Sequence, residues 1–146
     1  MWSNNSDTKK RAEEVFIHQR DQSDCGVSCL LSVIKFFGGK AKLEHLRELS
    51  GTSKQGTTLL GLYQSANEMG LEAEAYEADL ENLKKQTDPC ILHVIKDRRL
   101  KHYVVCYGFS EGHFLISDPA EDVKRVKLEK LDEMAKQGTT ASQAHR

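Results

Sequence analysis

Apolar residues follow two different rhythms along the chain. From residue 25 to residue 71 they return at helical spacing, and from residue 90 to residue 128 they run together or alternate. In the first stretch Cys29, Leu30, Val33, Ile34 and Phe37 share one helical face, which predicts a helix over 25–37 stopped by Gly38-Gly39. Leu43, Leu46 and Leu49 mark a second helix ended by Gly51. Thr57 or Thr58 caps a third, with Leu59, Leu62, Ala66 and Met69 on its inner face, Gly70 just beyond it and Leu71 closing the cap.

The second stretch reads as a sheet. Residues 72–77 alternate weakly, and 79–85 suggest a short helix. Residues 90–95 and 103–109 are nearly continuous runs rich in Val, Ile and Tyr, as in strands covered on both faces. Ser110-Glu111-Gly112 is expected to be a three-residue turn, with 113–117 returning as a strand that Pro119 ends. A further strand over 123–128 and a short helix over 129–136 complete the domain. Residues 1–14 are expected to form a flexible arm, 15–137 the folded unit, and 138–146 a flexible tail or linker. The class is α+β: an N-terminal helical half packed on a C-terminal antiparallel sheet.

Composition adds mostly exclusions. With 146 residues the chain holds one core; 38% hydrophobic and 29% charged residues are ordinary for a globular domain. Twenty-one basic and 22 acidic residues give a net charge of -1, so nucleic acid is not expected as a partner. No apolar run nears the ~18 residues that span a bilayer, and the polar N-terminus lacks a signal-peptide core, which points to the cytosol. The four cysteines do not suggest a disulfide framework or a zinc site. Cys90 and Cys106 read as small buried hydrophobes and Cys29 as core packing.

Cys25 is different. It stands where the first predicted helix begins, so free backbone N–H groups and the helix dipole favour a thiolate there. Asp24 is a good N-cap, Gly26 keeps the approach to the sulfur open, and Gln19 offers an amide to an oxyanion. The base must be one of six histidines. His18, His45 and His145 read as surface residues, whereas His93, His102 and His113 lie in or beside strands. Pairing the hairpin about residues 110–112 sets position 104 opposite 118, which puts His102 and Asp118 on one face as diagonal neighbours. Such a pair can take the thiol proton and hold the resulting imidazolium.

The run Gln19-Arg20-Asp21-Gln22-Ser23-Asp24-Cys25-Gly26-Val27-Ser28-Cys29 resembles the signature of the bacteriocin-processing peptidase domain of peptidase-containing ABC transporters. The likeness continues in His45-Leu46-Arg47-Glu48-Leu49, Gly56-Thr57-Thr58, Met69-Gly70-Leu71, Lys101-His102-Tyr103-Val104-Val105 and Ile116-Ser117-Asp118-Pro119. It implies a papain-like cysteine peptidase with Cys25 as nucleophile, His102 as base and acid, Asp118 as orienter and Gln19 as oxyanion donor. It further implies cleavage of bacteriocin, lanthipeptide or pheromone precursors after a Gly-Gly or Gly-Ala motif. The implied partners are a precursor peptide with an amphipathic helical leader and the membrane and ATPase domains of a parent transporter. The site would then lie at the cytoplasmic face of the bacterial membrane. No cofactor or metal is implied for the peptidase, ATP being used only by a nucleotide-binding domain. The sequence shows no phosphate-binding loop or membrane span, so the chain is either an excised domain or a free-standing relative; the former is the expectation, with 138–146 where a linker falls. A leader-docking module without chemistry and a redox or metal protein built on Cys25 and Cys29 are the alternatives.

Overall fold

The computed structural model describes residues 5–77, 79–96, 100–135 and 140–145. Six helices and six strands follow in the order α1 (Asn5–Glu14), α2 (Cys25–Phe36), α3 (Leu43–Ser50), α4 (Leu59–Glu68), β1 (Glu72–Glu77), α5 (Leu80–Lys84), β2 (Cys90–Lys96), β3 (Leu100–Ser110), β4 (His113–Ser117), β5 (Val123–Lys127), α6 (Leu128–Ala135) and β6 (Thr140–His145). The strands form a single sheet in the order β1-β6-β2-β3-β4-β5, and every neighbouring pair is antiparallel.

Both faces of the sheet are covered, which is why β2 and β3 read as continuous apolar runs. On one face Ile91, Tyr103, Val105 and Tyr107 pack with Ala12, Val27, Leu30, Val33, Leu46 and Leu62 from α1 to α4. On the other, Leu92, Val94, Val104, Phe114 and Ile116 pack with Leu83 of α5 and Leu131 of α6. The helical caps follow the residue chemistry. Thr58 accepts the Gly61 N–H at 3.0 Å, Asp79 accepts that of Asn82 at 2.8 Å, and Leu71 N–H returns to Ala66 C=O at 3.0 Å past Gly70.

Both ends depart from expectation. The N-terminal arm contains helix α1, whose outer side is charged but whose Thr8, Ala12 and following Val15 are buried. Arg11 locks it to the end of α2: its Nε donates to Phe36 C=O at 2.9 Å and its guanidinium lies 4.9 Å from the Phe36 ring centre. At the other end, residues 140–145 form β6, paired on both sides with β1 and β2. That strand is made by main-chain hydrogen bonds, which leave no apolar alternation in the sequence. Residues 1–4 of the predicted arm, 136–137 at the end of the predicted folded unit, and 138, 139 and 146 of the predicted tail lie outside the described residues.

The β3–β4 hairpin also differs in detail. Its turn has two residues, Glu111 and Gly112, with φ of 53° and 78°, and Ser110 pairs with His113. That pairing is one step away from the predicted register. A bulge between Cys106 and Gly108 takes up one residue, after which Cys106 faces Ile116 and Val105 faces Ser117. Beyond the bulge the predicted register returns, and it is this part that positions the site.

Candidate active site

The segment before Cys25 is a single 3₁₀ turn, Gln22–Asp24, capped by Asp21, whose carboxylate accepts the Ser23 N–H at 2.9 Å. Cys25 then opens α2 and is 5% exposed. Asp24 occupies the cap position but makes no capping hydrogen bond. Its buried carboxylate is held by Arg20 Nε at 2.8 Å and by Arg47 Nη1 of α3. Two guanidinium partners outcompete a backbone N–H for the carboxylate, so Asp24 fixes the helix start by tying it to α3. Gly26 likewise serves packing and not approach. A Cβ there would lie 3.2 Å from Tyr103 Cδ2 and 3.3 Å from both Leu62 Cδ1 and Thr57 Cβ.

His102 on β3 is fully buried, and its Nε2 lies 2.7 Å from Asp118 Oδ1. Cys25 lies near enough to the same ring to act on its titration, and Gln22 Nε2 lies 3.2 Å from His102 Nδ1 and 3.8 Å from Cys25 Sγ. Asp118 follows β4 in a tight loop. Its Oδ1 also accepts the Ala120 N–H at 2.9 Å, and its Oδ2 accepts Lys96 Nζ at 2.9 Å. A backbone bond of 2.8 Å from Gln19 N–H to Pro119 C=O joins the segment ahead of the cysteine to the segment after the aspartate. The three predicted residues Cys25, His102 and Asp118 are therefore in one line of contacts.

The electrostatics match that line. Burial by itself would lower the His102 pKa, but the bond to Asp118 and the nearness of Cys25 prevail and hold it at about 9. Burial would raise the Asp118 carboxyl, yet its bonds from His102, Lys96 and the Ala120 N–H keep it well below the usual carboxylate range. Cys29, one helical turn from Cys25, is raised far above the ordinary thiol range by burial. The other candidate histidines have different settings. His93 stacks on Tyr103 with ring centres 4.4 Å apart, and His113 bonds the Glu111 carbonyl. His18 and His45 are exposed, while the side chain of His145 lies outside the described residues.

Gln19 stands one amide away from the thiol. Its Nε2 donates to Gln22 Oε1 at 3.3 Å, and its Oε1 is buried with no hydrogen-bond partner among the described residues. Gln22 reaches the centre itself: its Nε2 lies 3.8 Å from Cys25 Sγ, 3.2 Å from His102 Nδ1 and 3.2 Å from Lys101 C=O. Sequence reasoning passed over Gln22. Its separation of three residues from Cys25 was the available signal, since one turn of helix sets such residues side by side.

Residues 13–140 match the peptidase C39 family. The chain belongs to that family. It is 40% identical over 141 residues, 95% of its length, to the pediocin PA-1 transport/processing ATP-binding protein PedD of Pediococcus acidilactici. It is 43% identical over 112 residues, 75% of its length, to the transport/processing ATP-binding protein ComA of Streptococcus pneumoniae. It spans only 18% and 16% of those two proteins. The crystal structure of the peptidase domain of Streptococcus ComA, a bi-functional ABC transporter involved in a quorum-sensing pathway, matches with a TM-score of 0.78 at 36% identity, covering 88% of this chain and 96% of that one. A double glycine motif protease from an AMS/PCAT transporter, in complex with the leader peptide, also gives 0.78, at 29% identity and 88% coverage of both chains. The papain-like α+β fold expected of this C39 domain is thus the one observed.

Proposed function

We propose that this chain is a cysteine endopeptidase domain that removes leader peptides from bacteriocin- or lanthipeptide-type precursors after a Gly-Gly or Gly-Ala motif. The observation that carries the reading is the buried imidazole of His102, bonded through Nε2 to Asp118 and linked on its Nδ1 side, through Gln22 Nε2, to the thiol at the start of α2. With Nε2–H committed to the carboxylate, Nδ1 is the nitrogen left to take the Cys25 proton. The thiolate attacks the carbonyl carbon before the cut and forms a tetrahedral oxyanion. His102 then gives its proton to the leaving amine, and afterwards activates the water that releases the acyl group. Asp118 holds the tautomer and stabilises the imidazolium throughout.

Gln19 and the Cys25 backbone N–H are the proposed oxyanion donors. The present partner of Gln19 Nε2 is a neutral amide at 3.3 Å, a weak bond that an oxyanion would displace. None of these steps calls for a metal or cofactor; ATP would be the concern of a nucleotide-binding domain like those of the named relatives.

The leader would dock between α4 and β1, where Leu59, Leu60, Tyr63, Ala73, Glu74 and Ala75 line an open groove of about 730 Å³. Leu60 is 62% exposed there, which suits the apolar side of an amphipathic helix. Leu62 faces the core, and Met69 packs against it. In the full transporter the domain would sit at the cytoplasmic face of the membrane; no helix among the described residues is long and apolar enough to cross one. A docking module without chemistry would have no use for a buried His–Asp pair aimed at a thiol.

The deciding experiment is incubation with synthetic double-glycine leader peptides, with cleavage position read by mass spectrometry. Cleavage directly after the two small residues, lost in Cys25→Ala while leader binding persists, is the expected result. An intact peptide, or cutting by Cys25→Ala at the normal rate, would overturn it.

A further inference from the structure

Lys96 is the last residue of β2, on the strand beside His102, and its side chain is 21% exposed. Its ammonium meets the one oxygen of Asp118 that neither His102 nor the loop backbone uses. On its far side it pairs with Glu121, which in turn pairs with Lys124 on β5. A row of alternating charges thus runs from the surface to the imidazole: Lys124, Glu121, Lys96, Asp118, His102. Surface ion pairs contribute little, but this one ends on a carboxylate that is 3% exposed, where solvent screens poorly.

We propose that Lys96 is a positioning residue of the catalytic pair: it fixes the rotation of the Asp118 carboxylate and withholds part of that charge from His102. Without Lys96, Asp118 Oδ2 would be a buried acceptor without its charged partner, and the carboxyl could turn away from the imidazole. With it, both oxygens are occupied and only one orientation satisfies all donors. The charge effect is separate. A cation on the far oxygen opposes protonation of the imidazole, so it moderates a base that Asp118 alone would make too reluctant to release its proton.

The other charged or titratable groups around the pair do not take this role. From α2, Cys25 is the reacting partner and Cys29 a buried thiol one turn away. From β2, His93 stacks on Tyr103, and Lys101 on β3 itself has its carbonyl, not its ammonium, at Gln22. In the loop after β4, Glu121 reaches the pair only through Lys96.

This inference rests on the peptidase reading for its purpose but not for its measurement. The titration midpoint of the His102 imidazole can be followed by NMR on the whole chain without substrate. In Lys96→Gln, which keeps a neutral donor, that midpoint is expected to rise by about one pH unit. In Lys96→Arg it is expected to stay at the wild-type value. Glu121→Gln, which strips a negative charge from the far side of Lys96, should move it the opposite way. Turnover of a cleaved leader peptide should fall at least tenfold in Lys96→Gln with KM little changed, and recover in Lys96→Arg. A folded Lys96→Gln with an unchanged or lowered midpoint would overturn the proposal, because the retained amide donor keeps the Asp118 carboxylate in place and leaves the lost positive charge as the difference being read. If Lys96→Gln does not fold, a Glu121→Gln midpoint that fails to drop overturns it equally. Failure to cleave any leader would sink the peptidase reading while leaving these midpoints intact.

Discussion

At the scale of single residues, His102 and Asp118 tie stability to pH as well as to chemistry. His102 titrates near 9 when folded, above the ~6.5 of an unfolded chain, so its contribution is complete below ~6.5 and is lost as pH rises through about 9. Asp118 is depressed, so its contribution is present above ~3.9 and is lost as pH falls through its lowered folded value. The melting temperature should therefore be higher at pH 6 than at pH 9.5, and replacing His102 with Gln should flatten that slope. The four thiols should also separate by reactivity. Cys29 is 1% exposed and raised by burial, and Cys106 is pushed up to about 12 by burial. Iodoacetamide at pH 7 is expected to label Cys25 first, as read by peptide mapping; equal labelling of Cys29 would contradict its assignment as packing. For Gln19→Ala the expected loss is ~10²–10³ in kcat with binding kept. How far these roles could be read beforehand varied with the kind of signal. The contact between His102 and Asp118 was legible because strand alternation and a register count carry real geometry. Asp24 was misjudged because its true partners, Arg20 and Arg47, meet it only after α3 has packed.

At the scale of elements, the helices were legible wherever an apolar stripe met a cap, as in α2, α3 and α4. Helix α1 escaped because its buried side is only Thr8 and Ala12, followed by Val15, too sparse to stand out from its charges. The hairpin count succeeded through two compensating departures: a turn one residue shorter than expected and a bulge that restores the register. A variant that removes the bulge, by deleting Tyr107, would thus rotate the His102 end of β3 against Asp118. The contact between α3 and α4 depends on Gly61, where a Cβ would come within 2.3 Å of Ser50 C=O. Alanine is the better helix former by about 1 kcal/mol, yet overpacking against backbone typically costs ~1–3 kcal/mol. Gly61→Ala should accordingly lower stability in a urea titration, with the slope of the transition unchanged.

At the scale of the molecule, the sheet is completed by a strand that has no large apolar residue. Deleting 138–146 would leave β1 without the strand that joins it to the sheet among the described residues and open one edge of β2. The truncated chain is expected to melt at a lower temperature and to self-associate, which thermal denaturation and size-exclusion chromatography would show. Nothing in the composition of 140–145 announces this, since main-chain pairing has no side-chain signature. The position of β6 also has a bearing on time. Strand β6, which follows the other five described strands in sequence, takes the second place in the row, between strands made much earlier. During synthesis the growing chain therefore carries β1 apart from the β2–β5 sheet until residue 145 has emerged, and long-range pairing of this kind is slow. Cys25, His102 and Asp118 are all made before that moment, so the pairing that completes the sheet comes after the residues of the candidate site have already been written into the chain.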